Sequence, residues 1–148
     1  MNPVLLFILI CYLHPSAAQV DIKHRWKKFD KKSDMQIWYD LSVADTITGN
    51  RFDVWILQVH NPPLHSKGIK ENIFRSETLY SVNLNSFRYG IMKLQYYDVK
   101  NMLLYKFDSD DSLLPTNELK YPYPILEDSP INLFIETYFE NNTMVSDE

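Results

Sequence analysis

From Met35 to Val43 the chain alternates Met35, Ile37, Tyr39, Leu41 and Val43 with Gln36, Trp38, Asp40 and Ser42. A period of two places all five apolar residues on one side of an extended backbone, so the run predicts a β-strand with one buried face. Thr46-Ile47-Thr48-Gly49-Asn50 then supplies turn chemistry, because Gly and Asn accept positive φ. Arg51 to His60 follows as a more continuously apolar strand (Phe52, Val54, Trp55, Ile56, Leu57, Val59), suited to the middle of a sheet. The two runs read as a hairpin.

Asn61-Pro62-Pro63 is expected to stop the ladder, since proline has no N–H to donate, and Leu64 to Glu71 is expected to be loop. Alternation resumes at Thr78, Tyr80, Val82 and Leu84. After Asn85-Ser86 a long strand runs from about Phe87 to Asp98, and Lys100-Asn101 leads tightly into Met102 to Phe107. With a short edge element near Trp26 to Phe29, six strands are expected. The last element fits two periods. Ile131, Leu133, Ile135, Thr137 and Phe139 suit a strand, whereas Ile131, Phe134, Ile135, Tyr138 and Phe139 form a helical stripe. Ser129-Pro130 decides for a helix over about Pro130 to Glu140, because serine caps free N–H groups and proline at the first helical position gives up no bond.

The N-terminus reads as a processing signal. Val4 to Leu13 is continuously apolar and is followed by Ser16-Ala17-Ala18, the small-x-small pattern of signal-peptidase cleavage. Residues 1–18 are thus expected to be a signal peptide and 19–148 a single mature domain. Ten apolar residues fall short of the roughly 20 that span a bilayer as a helix, so no transmembrane segment is expected in the mature chain. The one cysteine, Cys11, lies inside the signal and follows Ile10, which is too large for a lipid-attachment site. The mature domain then has no disulfide, no thiolate metal site and no cysteine nucleophile, and its stability must come from packing.

Charge is uneven. Between Asp21 and Lys32 stand Lys23, Arg25, Lys27, Lys28, Lys31 and Lys32 against two acids, a net +4, while the remainder of the chain carries −8. Such a strip can steer an anionic protein partner to one face, and it can equally be a solvated edge whose lysines discourage strand pairing. Nucleic acid is not an expected partner of a chain with a net charge of −4.

Little else carries chemistry. His24, His60 and His65 have no third residue at a metal-ligand spacing, and Asp108-Ser109-Asp110-Asp111-Ser112 lacks the glycine and closing glutamate of a calcium loop. There is no Ser-His-Asp order, nucleophile elbow or glycine-rich phosphate loop, so neither an enzyme nor a cofactor is expected, and no metal. Aromatics make up 14% of the chain; Trp26, Trp38 and Trp55, with Tyr96-Tyr97 and Tyr121-Pro122-Tyr123-Pro124, suit either packing or a recognition surface.

Taken in order along the chain, Trp26, Tyr39-Asp40, Val54-Trp55, Ser76-x-x-Leu79-Tyr80-x-Val82-Asn83-Leu84, Tyr96-Tyr97, Pro124 and Ser129-Pro130 resemble the surface-adhesin protein E family of Gram-negative bacteria. The resemblance spans the expected mature chain and implies an α+β fold: a six-stranded antiparallel sheet with a C-terminal helix packed on one face. It also implies a periplasmic or cell-surface location, binding of host matrix and plasma proteins (laminin, vitronectin, plasminogen), and dimerisation; haem binding is described for some members. Members carry paired cysteines at positions that match Leu84 and Phe139 here, so an apolar contact between these two is expected in place of the family disulfide. The functional expectation is an exported, non-enzymatic protein-binding module of adhesin type, with the basic strip as its contact. The alternative is a periplasmic ligand-binding or envelope-maintenance protein holding an apolar ligand between helix and sheet.

Overall fold

A computed structural model describes residues 23–29, 36–44, 47–109 and 120–143, with side chains of the last helix described to Phe139. The expected signal peptide and Lys31 and Lys32 lie outside the described residues. The strands are β1 (Trp26–Lys28), β2 (Gln36–Asp40), β3 (Arg51–Leu64), β4 (Ile73–Asn83), β5 (Arg88–Tyr97), β6 (Leu103–Asp108) and β7 (Tyr123–Pro124); the helices are α1 (Leu41–Ala44) and α2 (Pro130–Thr143). Strands β1 to β6 form an antiparallel meander in chain order, and β7 adds to β5 through the pairs Arg88↔Pro124 and Tyr89↔Tyr123. The α+β architecture with a C-terminal helix on the sheet is therefore present, with a seventh, two-residue strand beyond the six expected.

The core lies between α2 and one face of the sheet. Register places Tyr39 opposite Ile56, Phe52 opposite Val82 and Val54 opposite Tyr80, so these side chains share that face. Phe134, fully buried, meets Tyr39 edge-on at 5.3 Å and Phe52 at 5.8 Å between ring centroids. The helix begins as its sequence dictates: Ser129 Oγ accepts the Asn132 N–H at 3.2 Å, and the Ser129 carbonyl accepts the Leu133 N–H at 3.1 Å. Tyr138 donates its hydroxyl to the Ala44 carbonyl at 2.8 Å, tying α2 to α1.

Three boundaries differ from the sequence expectation, each for a local reason. The strand expected to reach Val43 stops at Asp40, whose carboxylate accepts the Ser42 N–H at 2.9 Å and caps the helical turn α1. Strand β3 continues through Pro62-Pro63 to Leu64. No ladder pair lies between Val59 and Leu64, as proline requires, yet the backbone stays extended and pairing resumes at Leu64↔Ile73. Strand β4 consequently starts at Ile73, five residues before Thr78, the earlier residues lacking apolar alternation. The tight β5–β6 connection is as expected: Asp98 Oδ1 accepts from the Lys100 and Met102 amides, both at 2.8 Å, and Asn101 adopts φ 62°.

Candidate functional site

Strand β1 is the terminal strand of the sheet, and the described part of the basic strip lies in it and just before it. Lys23, Arg25, Lys27 and Lys28 are all exposed there. Pairing of Trp26 with Asp40 and of Lys28 with Trp38 puts Trp26, Lys28 and Trp38 on the face opposite α2. Trp38 is paired in turn with Leu57, and Trp55 with Leu79, so all three tryptophans stand on that helix-free face, on three adjacent strands. The Lys28 ammonium lies 5.6 Å from the Trp38 ring, a cation–π distance. At the far side of the same face Arg75 pairs with Glu77 at 3.5 Å and Lys93 with Asp108 at 3.0 Å, while Lys106, opposite Gln95, is exposed there. Lys28 is the base of the strip that stands beside the tryptophans.

What holds β1 in place is a buried carboxylate. Asp40 is fully buried and accepts four hydrogen bonds: from His24 Nδ1 (2.7 Å), the Arg25 amide (2.9 Å), the Ser42 amide (2.9 Å) and the Ser42 hydroxyl (2.6 Å). A carboxylate only accepts, so His24 carries its proton on Nδ1. Burial pushes the Asp40 pKa up, but the bonds from the Ser42 hydroxyl, His24 and the two amides outweigh it and bring the value down to about 2. The His24 ring stacks on Trp26 at 4.8 Å and meets Trp55 edge-on at 5.2 Å, which joins the anchor to the tryptophan face. Although serine, histidine and aspartate converge here, Ser42 donates to Asp40, so the hydroxyl is not bonded to an imidazole that could take its proton.

The remaining candidates separate. Tyr97 joins the helix-free face, its ring 4.1 Å from the Arg75 guanidinium, whereas Tyr96 pairs with Tyr105 on the other face at 5.9 Å and Tyr123 packs on Tyr89 at 5.4 Å. His60 is bonded through Nε2 to Ser76 Oγ at 2.9 Å, and His65 is exposed. Among the described residues, no three histidine, cysteine, aspartate or glutamate side chains gather as metal ligands. Leu84 and Phe139 both pack, partly buried, on the core cluster; Phe139 reaches Phe52 at 6.4 Å, and the Leu84 amide donates to the Asn50 carbonyl at 2.8 Å. Ile131 and Phe134 of α2 are buried against the sheet. Two cavities, of about 420 and 380 Å³, lie elsewhere, at the start of β2 and under the β3–β4 connection.

The sequence reading found the strip and missed its anchor. His24 and Asp40 are 16 residues apart, and only the fold brings them together. The one local signal was an aspartate two residues before a serine, a capping pattern set inside an alternating run. No protein-family model, curated protein or solved structure matches the chain.

Proposed function

We propose that this chain is an exported, non-enzymatic protein-binding module of adhesin type that meets its partner through β1 and the adjoining tryptophan face. One observation carries the reading: exposed Lys23, Arg25, Lys27 and Lys28 lie in and just before the end strand of the sheet, where Lys28 joins Trp26 and Trp38 on the face that α2 leaves uncovered and Lys27, opposite Tyr39, lies on the other face. Half-buried tryptophans supply large contact area at low entropic cost, and the bases steer an acidic partner to it. The resemblance to the surface-adhesin protein E family supports matrix or plasma proteins as partners, and the apolar run before Ser16-Ala17-Ala18 supports export.

The test is binding of the mature domain to immobilised laminin, vitronectin and plasminogen at low and moderate salt, beside a variant with Lys23, Arg25, Lys27 and Lys28 all changed to Gln. Binding to at least one of the three, with slower association and a flatter salt dependence in the variant, is the expected result. Failure to bind any of them, or binding indifferent to the four charges, overturns the proposal. Protease treatment of intact cells adds the location: a cell-surface module is removed and a periplasmic one is spared.

A further inference from the structure

Residues 65–72 connect β3 to β4, and the pair Leu64↔Ile73 closes the base of this connection. Within it the Ser66 carbonyl accepts the Ile69 N–H at 3.1 Å, which makes a turn, and Gly68 in the third position has φ 95°, where a side chain is rarely tolerated. The turn holds Lys67 at its tip.

Leu94 and Tyr96 of β5 and Tyr105 of β6 share the sheet face on which α2 lies, because Thr78 is opposite both Ile56 and Leu94, and Tyr96 is opposite both Ser76 and Tyr105. They stand at the other end of the sheet from β1. The Tyr96 and Tyr105 rings are 5.9 Å apart between centroids and inclined at 34°. The turn, residues 66–69, and these three side chains together line the cavity of about 380 Å³, a size within the range of small-ligand sites.

Ile69, Leu94 and the two phenol rings supply apolar and aromatic wall, which favours burial of a flat apolar ring. Among the described lining residues the formal charge is the Lys67 ammonium, which is exposed, makes no ion pair and has donors only. Burial, and after it the neighbouring Tyr105, holds the Tyr96 phenol above its usual pKa, so its hydroxyl keeps its proton at neutral pH. The polar side of the cavity therefore offers donors. A carboxylate only accepts and pairs most strongly with a charged donor, whereas an amine would face Lys67 as a like charge.

We propose that the cavity between the Ser66–Ile69 turn and the Tyr96–Tyr105 pair is a binding site for a small aromatic carboxylate, its ring against the tyrosines and its carboxylate on Lys67. The site lies away from the basic edge, so it succeeds or fails independently of the protein-binding surface.

Amide and aromatic-ring NMR signals report occupancy at the lining residues themselves. The intact chain, purified as the cell processes it, is titrated with benzoate, phenylacetate and cinnamate to about 10 mM, enough to fill a site of millimolar Kd. At least one acid is expected to move the Lys67–Ile69 amide signals and the Tyr96 and Tyr105 ring signals saturably, and to bind more tightly than its primary amide. Lys67→Gln should weaken binding of that acid by about tenfold and bring acid and amide within about twofold of each other, since it removes the charged donor. Tyr105→Ala should weaken both alike; Lys67 is exposed, so its variant keeps the test available if Tyr105→Ala does not fold. No saturable shift with any of the three acids overturns the proposal, as do equal or tighter binding of the amides, shifts that spare the turn and both tyrosines, and an undiminished preference for the acid in Lys67→Gln.

Discussion

Asp40→Asn isolates the anchor of β1. The substitution keeps the shape of the side chain and one acceptor oxygen, but removes the charge and places an NH2 where His24 Nδ1 donates at 2.7 Å. The wild-type carboxylate titrates at about 2 in the folded protein against about 3.9 in an unfolded chain. A folded-state pKa held below its unfolded value stabilises the protein above the unfolded pKa, and that stability is lost as pH falls through the folded one. The shift corresponds to about 2–3 kcal/mol at neutral pH. Urea unfolding followed by tryptophan fluorescence, repeated between about pH 6 and pH 2, measures this directly. The variant should be less stable by about 2–4 kcal/mol at pH 6, the upper figure including a donor left facing a donor. The difference from wild type should shrink as pH falls below about 4, because the wild type then loses the charge that the variant never had. Parallel curves across the whole range would refute the assignment of Asp40 as a buried, charged anchor.

Phe134→Ala should cost about 3–5 kcal/mol in urea unfolding, because the ring is fully buried against Tyr39 and Phe52. Phe139→Ala should cost less, about 1–3 kcal/mol, since Phe139 is only partly buried; an equal loss at the two positions would count against the packing described. Gly90→Ala should destabilise by about 1–3 kcal/mol in the same assay, because a Cβ there would run into the Lys120 backbone carbonyl and the chain before β7 would have to move. A neutral Gly90→Ala would show that this crossing is loose.

The alternation of apolar residues made the strands legible, and Ser129-Pro130 made the helix legible, because both signals are local. The errors arise where a local rule met a competing one. Asp40 continues the alternation of β2, yet its carboxylate caps α1 and ends the strand. Pro62 and Pro63 do forfeit ladder bonds, but an extended backbone needs none to continue, and Ile73 stands ready to pair with Leu64. Arg75, Ser76 and Glu77 hid the start of β4, since Arg75 and Glu77 face the helix-free side and neutralise each other there. At two residues, one of them proline, β7 has no period to detect. The basic strip was visible as charge, whereas the gathering of Trp26, Trp38 and Trp55 on one face depends on register, which only pairing across the sheet establishes.

The anchor explains how so short a strand can present a surface at all. Strand β1 has three residues and three ladder pairs, and three exposed bases (Arg25, Lys27, Lys28) lie in or next to it, so little apolar burial holds it to the sheet. End strands of this kind fray unless tied down. Here the Asp40 carboxylate takes the Arg25 amide and the His24 ring, and the Leu41 amide donates back to the Arg25 carbonyl at 3.0 Å. Fixing the backbone at Arg25 fixes where the flanking bases emerge relative to Trp26 and Trp38, and a surface ordered before binding loses less entropy on contact. Charge and anchor are therefore separable. Removing the bases should slow association and leave stability nearly unchanged, since exposed charges contribute little to folding. Asp40→Asn, which leaves every base in place, should lower both stability and affinity, because it releases the strand that carries them.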